Sequence, residues 1–259
     1  MMEQPDIVVI SLKRATDRRQ SIEQQLSPLN LQYSFFDAID GKLGHELFAN
    51  YDAKKAWLIG EIPLTPGHLG CYASHYLVWQ RCLESGKPMI VLEDDAILVT
   101  EPFLRFLEHA KALPGGIECV RLFASKSRNT DNWLVFQQGD LSIGKFLRGH
   151  KSATGYYLTP PAAEKLLNYG KRWAEPVDIE MDQFWANGVE CYGVLEPCLT
   201  HNPDFQSAID SGIDTKKARR GFMRLRWRLY LLKGKIVREV HNLRFKARMQ
   251  KQTYSRPDV

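Results

Sequence analysis

Pro88-Met89-Ile90-Val91-Leu92-Glu93-Asp94-Asp95-Ala96-Ile97 joins a short aliphatic run to three consecutive carboxylates. Met89 to Leu92 has the length and branched content of a buried strand. The acidic triplet therefore falls at a strand's carboxyl end, where open α/β sheets place their ligands. Three adjacent like charges repel and resist desolvation, whereas a divalent cation held by hard oxygen atoms turns that cost into affinity. The triplet reads as a metal site that could carry a diphosphate, or else as an acidic turn capping a helix around Phe103 to Ala112.

Outward from this strand, the chain alternates strand and helix. Ile7 to Ser11 and Tyr33 to Phe36 read as strands, with a helix from Thr16 to Leu26 between them. A helix from Leu69 to Ser85 stops at Ser85-Gly86-Lys87-Pro88 and feeds the acidic strand. Cys119 to Phe123, Tyr156 to Leu158 and Val189 to Leu195 are further strands, and Pro160 to Tyr169 is a proline-opened helix. The pattern predicts an α/β fold with a mixed, largely parallel sheet between helices.

The 259 residues, 44% hydrophobic, suffice for one large α/β domain or two small ones. Met1 to Asp6 lacks a positive n-region and Ile7 to Ile10 is too short to span a bilayer, so a cytoplasmic product is expected. Five cysteines without a Cys-x-x-Cys pair indicate neither a disulfide framework nor a zinc cluster. The net charge of +5 is unevenly spread. Lys216 to Arg256 holds fifteen Lys and Arg against the single acid Glu239, and the remainder carries a net −9. The best boundary is Asp210-Ser211-Gly212-Ile213-Asp214, dividing a domain at 1–214 from a basic helical segment at 215–259.

Four blocks stand in a telling order: Ile10-Ser11-Leu12-Lys13-Arg14-Ala15-Thr16-Asp17-Arg18-Arg19, Phe36-Asp37-Ala38-Ile39-Asp40-Gly41, Pro66-Gly67-His68-Leu69-Gly70-Cys71-Tyr72-Ala73-Ser74-His75, and Ile90-Val91-Leu92-Glu93-Asp94-Asp95. In this order the chain, from about Ile7 to Ser207, resembles glycosyltransferase family 25 and its lipooligosaccharide galactosyltransferases. The resemblance implies a GT-A nucleotide-sugar (Rossmann-like) fold, a UDP-sugar donor, most often UDP-galactose, a manganese or magnesium ion, and inversion to a β-linked product.

Each block also has a physical reading. A strand ending at Ser11 puts Ser11, Leu12 and Arg14 in the crevice at the sheet's edge, where Arg14 could grip a diphosphate or remain a solvated charge. Asp37 and Asp40 could accept from ribose or uracil, or equally form an Asx-turn. Ser74 and His75 are donor contacts by the resemblance, although a helix His beside an apolar face is more often structural. As helix neighbours about 100° apart they cannot form a nucleophilic pair. The resemblance also implies that Asp95 binds the metal directly, with Glu93 or Asp94 serving ribose or a metal-bound water; Glu at the first position departs from the Asp-x-Asp pattern. His201 is a candidate late metal ligand.

An inverting transfer needs a base for the acceptor hydroxyl. Asp178 and Asp182 share a face at i, i+4 in the segment from Glu175 to Trp185, and Asp178 also reads as a helix cap. A late Pro-Val-Asp element of the family favours Asp178, with Asp182 second. Thr154, Gly155 and Tyr156 look like the family's acceptor-side strand, where tyrosines either stack on sugar or pack in the core.

Phe222, Leu225, Leu229, Leu232, Ile236, Val240 and Leu243 recur at helical spacing among arginines and lysines. This stripe suits an interfacial helix on an anionic inner-leaflet surface, or a helix packed against an acidic body. No nucleic-acid motif is present. The expected activity is metal-dependent transfer of galactose to a lipooligosaccharide or lipopolysaccharide, at the cytoplasmic face of the inner membrane. Alternatives are a UDP-glucose-using transferase, a non-catalytic nucleotide- or carbohydrate-binding module, and a metal-dependent phosphohydrolase.

Overall fold

The computed structural model describes residues 4–124, 130–201 and 221–254. Strands β1 (Asp6–Ser11), β2 (Tyr33–Asp37) and β3 (Met89–Glu93) form one side of an eight-stranded mixed sheet. Its other strands are β5 (Cys119–Arg121), β6 (Asn132–Gln138), β7 (Leu141–Phe146), β8 (Gly155–Leu158) and β9 (Tyr192–Val194), reached after the short β4 (Ala96–Leu98). The spatial order is β2-β1-β3-β8-β5-β9-β7-β6. β1 runs parallel to β2 and β3, and β5 to β9; the other pairings in this sheet are antiparallel. A separate ribbon pairs β4 with β10 (Leu199–His201).

Both faces of the sheet are covered, which is why β3 is apolar without alternation: Met89, Ile90, Val91 and Leu92 are all fully buried. Ile7, Val9, Ile90 and Leu92 face one core with Ile22 and Leu26 of α1 (Thr16–Leu26). Val8, Ile10, Met89 and Val91 face the other with Tyr72, Val78 and Trp79. These last three lie on α3 (Pro66–Ser85), which follows α2 (Ala53–Ile59). Truncating Leu92 to Ala would cost about 2–5 kcal/mol through lost transfer energy and a cavity.

The first core also takes Phe103, Phe106 and Leu107 of α4 (Thr100–His109), and the second takes Leu166 and Leu167 of α5 (Pro160–Tyr169). The helix of the third block begins at Pro66, earlier than the expected Leu69, because Thr65 caps it. The Thr65 Oγ1 accepts the His68 N–H while His68 Nδ1 accepts the Thr65 N–H. Gly86, at φ +67°, ends it in the left-handed region. The hairpin of β6 and β7 was not anticipated, although Gly139-Asp140 between two apolar runs is a turn signal.

Short helices α6 (Val177–Met181) and α7 (Phe184–Asn187) follow, then the 34-residue α8 (Gly221–Tyr254). The expected boundary at Asp210 to Asp214 lies outside the described residues. α8 is not packed through its predicted apolar stripe. Tyr230 donates to Glu175 at 2.5 Å, His241 meets Glu190 at 2.7 Å, Asn242 donates to the Leu147 carbonyl, and Phe245 enters the first core. Phe222, Leu225, Leu229, Leu232, Ile236, Val240 and Leu243 are all exposed. The helix does pack on the body, in part on the acids Glu175 and Glu190, but polar and aromatic side chains on a face other than the stripe make the attachment.

Candidate functional site

Parallel pairing of β1 with β3 sets Ile10 beside Glu93, so Ser11-Leu12 and Glu93-Asp94-Asp95 emerge at one edge of the sheet. The segment after β2 and the amino-terminal half of α3 close the other walls. Together they enclose a cavity of about 580 Å³. Ser11, Leu12, Arg14, Asp40, Ser74, His75, Glu93, Asp94 and Asp95 all line it. Four sequence blocks scattered over nearly ninety residues thus converge on one space. Asp37 does not line it: its carboxylate pairs with Arg19 at 2.5 Å, and that bond holds its pKa below the usual range.

Backbone contact joins the second and third blocks. A Cβ on Gly41 would lie 1.8 Å from the Pro66 carbonyl oxygen, and one on Gly70 would lie 2.5 Å from that of Ile39. Only glycine permits this approach. Ser74 locks the same seam, its Oγ accepting the Ile39 N–H at 2.8 Å and donating to the Gly70 carbonyl at 2.7 Å. Ser74 thus positions the Ile39–Gly41 turn. The glycines were visible in the quoted blocks, but their mutual contact is tertiary and leaves no local signal.

His75 is buried within a polar chain. Trp79 Nε1 donates to the Tyr156 hydroxyl at 2.9 Å, Tyr156 meets His75 Nδ1 at 2.9 Å, and His75 Nε2 meets Glu93 Oε1 at 3.2 Å. A carboxylate only accepts, so Nε2 carries the proton that faces Glu93. His75 therefore orients Glu93 at the cavity wall. Arg18, which the sequence reading passed over, lines the same cavity and bonds Asp94 Oδ1 at 3.0 Å. Arg19 braces the end of β1 through the Ser11 carbonyl at 2.9 Å, and Arg14 pairs with Asp40. Lys42 adds another cation to the rim.

Residues 4–181 match the family described as glycosyltransferase family 25 (LPS biosynthesis protein). The chain belongs to glycosyltransferase family 25. It is similar to lipooligosaccharide biosynthesis protein lic2B of Haemophilus influenzae, with 35% identity covering 61% of this chain and 60% of that protein. It is 25% identical to lipooligosaccharide biosynthesis protein lex-1 of the same species over 94% of both chains. It is 32% identical to mouse procollagen galactosyltransferase 2 over 35% of this chain and 15% of the mouse protein. The chain thus spans three fifths of lic2B and a small part of the mouse protein.

The family match ends at Met181, within α6, where the two candidate bases part company. Asp178 is half-buried, and its pKa is raised by burial, with Arg121 opposing and Glu93 adding to the rise. Its charge also acts on Cys71 and His68, both on α3. Asp182 is buried: one oxygen meets Arg121 at 3.2 Å, the other accepts the Lys151 N–H at 2.7 Å, and burial pushes its pKa up to about 6. Neither Asp178 nor Asp182 lines the cavity.

Thr154, Gly155 and Tyr156 are also buried and line no part of the cavity. A Cβ on Gly155 would strike Leu199 at 2.1 Å. Tyr156, at 0% exposure, has no open face for sugar stacking, because its ring fills the core and its hydroxyl holds His75. The expected acceptor wall is therefore corrected to a support behind the cavity. His201 pairs with Ala96 in the β4–β10 ribbon, so its backbone sits opposite the residue after Asp95; its side chain lies outside the described residues.

The donor set at the strand end suits a hard cation, since the Glu93, Asp94 and Asp95 carboxylates share the cavity. Cys71, His75 and Glu93 also bring ligand atoms within 4.8 Å of one another. Burial, with the nearby Glu93, Asp178 and Asp95 charges, raises the Cys71 thiol well above its ordinary pKa, and a soft thiol is a poorer match than carboxylate oxygen for a hard cation.

Proposed function

We propose that this family 25 glycosyltransferase moves galactose from UDP-galactose, with inversion, onto a lipooligosaccharide or lipopolysaccharide acceptor, using a GT-A-type fold. The observation that carries the reading is the composition of the cavity lining: three carboxylates at the end of β3 together with Arg14, Arg18 and Lys42. That combination suits a nucleotide diphosphate accompanied by a cation. The named roles of lic2B and lex-1 in lipooligosaccharide biosynthesis support the acceptor class, and the mouse relative's name supports galactose.

Asp95 and its neighbours Glu93 and Asp94 would hold Mn2+ or Mg2+, with His201 a further candidate ligand; such an ion supplies Lewis-acid stabilisation of the departing diphosphate. Arg14, Arg18 and Lys42 neutralise diphosphate oxygens, while His75 fixes the Glu93 carboxylate. In the transfer, the acceptor oxygen bonds to the anomeric carbon as the carbon–oxygen bond to UDP breaks. UDP keeps the electron pair, and the hydroxyl proton passes to the Asp178 carboxylate. A pKa raised by burial makes Asp178 a stronger base than an exposed aspartate.

The test is a panel of UDP-hexoses offered with glucosyl and lactose-type acceptors, the product linkage being read by NMR. A β-galactoside is expected. Preferred turnover of UDP-glucose would change the donor, release of free sugar without acceptor would indicate a hydrolase, and donor binding without turnover would indicate a binding module. Among the described residues no helix is long and apolar enough to cross a membrane. In this reading a lipid-linked acceptor is met from the cytoplasmic face, by peripheral attachment.

A further inference from the structure

The exposed face of α8 has a defined arrangement. At 100° per residue, the stripe from Phe222 to Leu243 lies about half a turn from the face bearing Tyr230, Gly234, His241 and Phe245, which meets the body. The stripe is open along its length, with Phe222 at 68%, Leu229 and Ile236 at 57%, and Leu243 at 68% exposure. The same helical geometry sets Arg226, Lys233 and Arg244 along one flank of the stripe and Arg228, Lys235 and Lys246 along the other. Residues 221–250 hold nine Lys and Arg against Glu239 alone.

A second element extends this surface. Gly60, ending α2 at φ +76°, abuts the start of α8 so closely that a Cβ would lie 2.5 Å from the Met223 carbonyl oxygen and 2.6 Å from the Trp227 nitrogen. This close approach brings Trp57, 54% exposed, beside the stripe, where the Arg226 guanidinium stacks on Trp57 at 3.7 Å and on Phe222 at 4.9 Å. Leu58 next to it is also exposed.

We infer that α8, with Trp57 and Leu58, is a docking face for an anionic lipid bilayer. The apolar ridge would enter the acyl boundary, Trp57 would sit at headgroup level, and the two cationic flanks would contact lipid phosphates. Charge complementarity selects this occupant, because cations on both flanks oppose pairing with a second copy of the same helix. The helix is held rigidly by its opposite face, so lipid is met by a preformed surface. The inference rests on the lipid-linked acceptor reading for its purpose, while its evidence and its test are separate.

The experiment is flotation of the full chain with vesicles of phosphatidylcholine alone and of phosphatidylcholine with phosphatidylglycerol. Binding is expected only with the anionic lipid, lost as salt rises from 0.1 to about 1 M. Leu229→Gln with Ile236→Gln should weaken it about tenfold or more, and each of Arg228→Gln, Lys233→Gln and Lys235→Gln by about fivefold. These side chains are exposed, so the melting temperature should be unchanged, and transfer to a soluble acceptor should persist if the sugar-transfer reading holds. Equal binding to neutral vesicles, no vesicle binding by the parent chain, binding unaffected by the double substitution, or a dimer abolished by it would each overturn the docking face.

Discussion

The carboxylates ending β3 and those on and just after α6 look alike in sequence but are neutralised in different ways. Glu93, Asp94 and Asp95 open onto a shared cavity with Arg14, Arg18 and Lys42. Glu180 and Asp182 are enclosed: Glu180 accepts from Tyr72 at 2.6 Å and from the Ala174 N–H at 2.8 Å, and Asp182 is held by Arg121 and Lys151. One group is placed for a ligand, whereas the other anchors the fold. Asp178 stands between them, half-buried and coupled to Glu93.

The sharpest way to break this contrast is to exchange roles by mutation. Asp178→Asn should reduce turnover by about 10²- to 10⁴-fold with donor affinity preserved, since a base acts in the transition state. Steady-state kinetics beside a UDP titration checks this, and loss of donor binding would show a ground-state role. Asp182→Ala should instead destabilise the fold by about 3–5 kcal/mol, because it strands the buried Arg121 guanidinium. Urea unfolding measures that loss. If Asp182→Asn proves stable yet inactive, the base lies one helical turn further along than proposed.

Glu175 extends the contrast to pH. Burial raises its pKa to about 7, while Tyr230 of α8 and Gln183 bond its carboxyl and oppose the rise. A folded-state value above the unfolded one means that the native state binds the proton more tightly. The corresponding stability is complete below about pH 4.5 and disappears as pH rises through about 7. The unfolding free energy should fall over that interval by an amount on the order of 1–3 kcal/mol, lowering the melting temperature, and Glu175→Gln should flatten the profile. A profile unchanged by that substitution would remove Glu175 as its source.

The local sequence carried much of this. Periodicity placed β1, α1, β3 and α5, and the four blocks identified the walls that meet at the cavity. What it could not carry was partner choice. Tyr156 sits in a strand that could face sugar or core, and only the tertiary link to His75 and Trp79 decides for the core. Arg18 and Asp94 pair across 76 positions of chain, a tertiary contact that leaves no local signal. The α8 stripe was legible as a helix, but its exposure depended on contacts made by the opposite face.

At the cavity itself, Arg14→Gln should have a smaller effect. Its side chain is more than half exposed and pairs with Asp40, so donor affinity should weaken only about three- to tenfold, with no change in melting temperature. An effect as large as that of Asp178→Asn would make Arg14 part of the transition-state machinery.

The central claim, that the end of β3 receives a cation together with a diphosphate, is tested most directly by calorimetric titration of UDP into the full chain with Mn2+ and with chelator, in parallel with Asp95→Asn. UDP should bind in the presence of Mn2+ and weaken about tenfold or more on chelation, and Asp95→Asn should abolish that metal dependence without altering the fold. UDP affinity indifferent to both the metal and the substitution would contradict the account.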